Sequence, residues 1–109
     1  MEEDSVITKN RRFLKEMEQA IRKTNNGIIH ATVPPINVDR MISFATAIAK
    51  LRAKYIQAAF DFADVKLADD EESTADIKAL SVYRSQFETA REAFIALERA
   101  IELGYVVVE

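Results

Sequence analysis

Residues that interrupt helices occupy four positions in this chain of 109: Gly27, the pair Pro34 and Pro35, and Gly104. Between Ile36 and Leu103 there is neither glycine nor proline, so nothing in that stretch opposes long helices. The punctuation divides the chain into three helical segments with an extended linker over 28–36 and a tail over 105–109.

The first helix is predicted over about 5–25. Its apolar residues Val6, Ile7, Phe13, Leu14, Met17, Ala20 and Ile21 recur mostly three and four apart. Asp4 or Ser5 suits its amino cap, Arg22 and Lys23 suit the negative end of its dipole, and Asn26 or Gly27 suits its end. The linker is rich in β-branched residues, and Pro34 disfavours a helical Val33.

The second helix is predicted over 38–67 with Asn37 as its cap, a rod of roughly 45 Å. Its apolar residues, from Val38 and Met41 to Phe62 and Ala63, cover about half of its circumference, wider than a two-helix seam. The acidic run 69–72 is predicted as a turn, with Ser73 capping a third helix over 74–103 that Gly104 ends. Leu80, Tyr83, Phe87, Ala90, Phe94, Leu97 and Ile101 form a heptad seam on it. The tail, Tyr105 to Glu109, favours extended structure and is expected to pair with the segment 28–33 or to pack on the bundle end, with addition to a partner's sheet edge as the alternative.

These elements predict an all-α fold, one domain over 1–109: a three-helix antiparallel up-down-up bundle built on a long helical hairpin. The first helix is shorter than the hairpin and leaves its far end bare near Phe60, Phe62, Val65, Ile77 and Leu80. An uncovered apolar strip of that kind marks an interface. The expected role is therefore a non-enzymatic assembly or protein–protein interaction module, a homodimer or higher oligomer that acts as a helical adaptor.

Composition narrows the chemistry. Absent cysteine excludes disulfides, thiol nucleophiles and cysteine-bound metals. No signal peptide or apolar run of membrane-spanning length is read, so a cytoplasmic location is expected. No catalytic motif, phosphate loop or zinc spacing is present, and no cofactor is expected. His30, the single histidine, reads as structural, and Asp61 with Asp64 reads as a solvated pair.

Two further readings rest on charge. Arg52 falls within the apolar arc of the second helix, and Arg91 and Glu98 within that of the third. Asn10 and Glu18 fall within or beside the arc of the first helix, with Arg11 at its edge. Folding about the loops brings Arg11, Arg52 and Arg91 to one height, where guanidinium groups suit a small anion. The plainer account has each arginine reaching solvent or pairing with Glu18, Glu88 or Glu92. Lys9, Arg11, Arg12, Lys15, Arg22 and Lys23 make the first helix basic and suit phosphate contacts, although the chain's net charge of −3 opposes nucleic-acid binding.

Overall fold

The computed structural model describes the backbone of residues 2–65 and 70–109, and their side chains apart from 65 and 70–73. Among the described residues it is helical throughout, apart from short connections: α1 is Glu2–Thr32, α2 is Val38–Val65 and α3 is Asp70–Glu102. The chain divides into two compact units. One comprises Met1–Ile36 with Ala100–Glu109, and the other Asn37–Arg99.

In the second unit α2 and α3 pack as an antiparallel pair. Asn37 caps α2 as expected: its Oδ1 accepts a hydrogen bond from the Arg40 amide at 2.9 Å, and its carbonyl accepts one from Met41 at 3.2 Å. The pair is zipped by aromatic side chains. Phe44 meets Phe94 at 5.3 Å between ring centroids, and Tyr55 meets Phe87 at 6.0 Å. These contacts fix an antiparallel register, because partners on α3 fall as positions on α2 rise. Ala58 is the buried residue of this unit among those described. A methyl group there lets the backbones approach closely.

α3 starts earlier than its predicted boundary at 74. Asp70, Glu71 and Glu72 are helical, and Ser73 lies inside the helix instead of capping it. Asp69 lies outside the described residues, as does the predicted end of the second helix at 66–67.

In the first unit α1 has 31 residues, longer than the predicted 5–25 and longer than the 28 of α2. The helix runs through Asn25, Asn26 and Gly27 and takes in most of the predicted linker, ending at Thr32. Tertiary contacts outweigh the local signal. Asn25 Nδ2 donates to the Tyr105 hydroxyl at 3.4 Å, and His30 Nε2 lies 3.2 Å from the Gly104 carbonyl, so the last two turns have a partner. Val33 still donates to Ile29 at 2.7 Å, and the helix stops where Pro34 lacks an N–H.

The tail docks, but on Ile36 and not on 28–33. Ile36 and Val108 form a parallel bridge in which Ile36 N donates to Val107 O at 2.9 Å and Glu109 N to Ile36 O at 2.8 Å. Ile36, Tyr105 and Val106 are buried and form the small core of this unit. Gly104, at φ 75°, ends α3 with paired bonds: Gly104 N to Ile101 O at 3.0 Å and Tyr105 N to Ala100 O at 2.9 Å. That is the Schellman arrangement, which needs a left-handed residue at this point.

Candidate functional site

Little of this chain's apolar surface is inside it. Among the described residues four hydrophobic side chains are buried, against sixteen large ones that stand exposed. The accessible surface is 8775 Å² for 12.3 kDa. A compact folded protein of that mass exposes about 6,100 Å², and two compact bodies sharing the mass about 7,300 Å². The value exceeds both.

α1 carries much of the exposed apolar surface. None of its described residues is buried. Ile7, Leu14, Ile21 and Ile28 recur at intervals of seven, with Val6, Phe13 and Ala20 one position before them and Met17 between. This places three positions per heptad on one face, the width of a helix that sits against two neighbours. Phe13 is 59% exposed and Leu14 64%. Outside the stripe, Glu18 pairs with Arg22 at 3.3 Å. These are the apolar positions expected on the first helix from their spacing.

The residues expected at the hairpin's far end divide. Phe60 is 62% exposed and Ile77 50%. Phe62 and Leu80 are half-buried. The side chain of Val65 lies outside the described residues. Phe60 and Leu80 line a groove of about 310 Å³ whose other walls are Tyr55, Ile56, Ala59 and Ala63.

A second groove, about 440 Å³, runs along α2 and α3 between Ala45 and Arg52 on one side and Arg91 and Glu98 on the other. Ala45, Ile48, Ala49, Phe94 and Ile95 make its apolar walls. Ala45 and Ala63, at opposite ends of the two grooves, are five helical turns apart on α2, so the grooves are successive stretches of one furrow. Arg52 and Arg91 thus line one space together with a carboxylate, Glu98. The Arg52 guanidinium lies 5.1 Å from the centre of the Phe87 ring, an attraction between cation and ring face. Arg11 belongs to the other unit, exposed on α1.

His30, exposed on α1, has Nε2 3.2 Å from the Gly104 carbonyl. Asp61 accepts a hydrogen bond from Gln57 Nε2 at 2.9 Å, and Asp64 is exposed. Among the described residues no group of three or more histidines and carboxylates is placed to hold a metal ion, and no helix is long and apolar enough to cross a membrane. Compared with known protein families, with curated proteins and with solved structures, the chain gives no match.

Proposed function

We propose that this chain is a self-assembling helical interaction module, whose apolar helix faces are covered by further copies of itself. One observation supports the reading above the rest: the exposed apolar stripe from Val6 to Ile28 on a helix with no buried described residue. Apolar patches of that size are rare on monomeric proteins, because water disfavours them by about 25 cal/mol per Å². The exposed Phe60 and Ile77 supply a further contact area on the hairpin. The role is assembly, with no chemistry of its own. Sedimentation equilibrium between 1 µM and 1 mM (about the range over which weak and strong dimers part) tests it, and a single monomeric species throughout refutes it.

The shared groove of Arg52 and Arg91 favours a second reading, a small-anion site with guanidinium groups as its ligands. Titration calorimetry with phosphate and with a short dicarboxylate tests this directly. No heat of binding at millimolar anion, where an affinity of about −4 kcal/mol is still visible, removes it.

A further inference from the structure

The furrow of the α2–α3 hairpin and the stripe of α1 carry matching charges. On α1, Arg11 and Glu18 flank the stripe along one edge, seven residues apart. On α3, Arg91 and Glu98 line the furrow, also seven residues apart. Seven residues of helix span about 10.5 Å, so both pairs have one spacing. The sign order is the same on both helices, so the charges complement each other when the helices run antiparallel: Glu18 meets Arg91 while Arg11 meets Glu98.

We infer that the furrow receives α1 of a second copy, seated antiparallel to α3 by these two ion pairs. The inference rests on the self-assembly reading and names its contact. In this register Phe13 and Leu14 come level with Ala45 and Ile95, where the small alanine side chain leaves depth for the larger ones. Arg52, beside Arg91 in the groove, adds a second positive group near Glu18. Glu18 has to leave Arg22, an exposed pair of the kind that contributes little.

Chain length excludes the protein's own α1 from this seat. A helix antiparallel to α3 is parallel to α2. With Glu18 at the level of Arg91, and so of about Ala49 by the ring pairings, Thr32 lies about 21 Å beyond that level and Val38 about 16 Å before it, at 1.5 Å per residue. Thr32 and Val38 are six residues apart, which reach at most about 21 Å fully extended, against the roughly 37 Å required. A second copy has no such restriction, and two copies can exchange α1 reciprocally with the same surfaces.

A charge exchange tests the assignment. Glu18→Arg and Arg91→Glu are each expected to weaken self-association about tenfold when studied alone, since each homodimer then places like charges together. Mixed in equal amounts, the two variants restore wild-type affinity, because each α1 again meets an opposite charge in the other copy. Both sites are exposed, so either variant keeps its helix content. Single variants that associate as tightly as the wild type, or a mixture no tighter than its components, overturn this contact. If the wild type still dimerises in that experiment, the assembly reading survives and the α1 seat falls; a wild type that stays monomeric removes both. The chain has no cysteine, so a chain carrying both Glu18→Cys and Arg91→Cys gives an independent readout. Disulfide-linked dimers support the exchange, and a closed monomer overturns it.

Discussion

Gly27 and Gly104 are the chain's two glycines, and their opposite settings give opposite predictions. Gly104 sits at φ 75°, where a side chain crowds its own backbone, so Gly104→Ala is expected to destabilise by about 1 kcal/mol. Gly27 lies within α1 without a positive φ, and a Cβ added there meets nothing within 4 Å. Gly27→Ala therefore removes backbone freedom from the unfolded chain and is expected to stabilise by about 0.5–1 kcal/mol. Urea denaturation of both variants checks the pair, and the two shifts in midpoint must differ in sign. Phe87 illustrates a different residue effect, since it meets Tyr55 and carries Arg52 on its face. The ring is half-buried, so Phe87→Ala is expected to cost about 2 kcal/mol, below the range for fully buried phenylalanine. The same denaturation experiment measures it.

At the scale of elements, the carboxy-terminal tail holds the end of α1. The Asn25–Tyr105 and His30–Gly104 contacts, with the bridge at Ile36, are what those last turns gain over their weak local propensity. Removing residues 105–109 is expected to fray α1 from about Asn25 onward. Hydrogen exchange reads this as lost protection in 25–32 while 8–20 keeps its rate. These contacts also explain what was legible beforehand. The Asn37 cap and the Gly104 stop are local signals, made by a side chain or a dihedral within a few residues, and both were readable. The end of α1 was not, because a histidine and an asparagine gain helical turns from partners 74 and 80 residues away. The acidic run at 70–72 misled for a related reason, since the same carboxylates suit a loop or a first helical turn. Folding about the connection between the two long helices puts Arg52 and Arg91 at similar heights, and both line one groove, whereas Arg11 lies on α1 in the other unit.

At the scale of the whole molecule, Leu14 separates a chain that works alone from one that assembles. It is 64% exposed, and in a solitary chain Leu14→Glu replaces one solvated helical residue with another. Such changes stay within about 0.5 kcal/mol. If the stripe is covered by another copy, the same substitution places an unpaired carboxylate in an apolar contact. That costs about 3 kcal/mol, or roughly a hundredfold in the dissociation constant. Thermal melting measures the difference without isolating the dimer, because assembly makes the melting temperature rise with protein concentration. The wild type is expected to show that rise, and Leu14→Glu to lose it. Gln19→Glu is the control, since position 19 lies on the face of α1 opposite the stripe and gains the same charge. Gln19→Glu should keep the wild-type concentration dependence. A melting temperature that ignores concentration in all three proteins means that the Val6–Ile28 face stays in water, and the chain then functions with its apolar side bare.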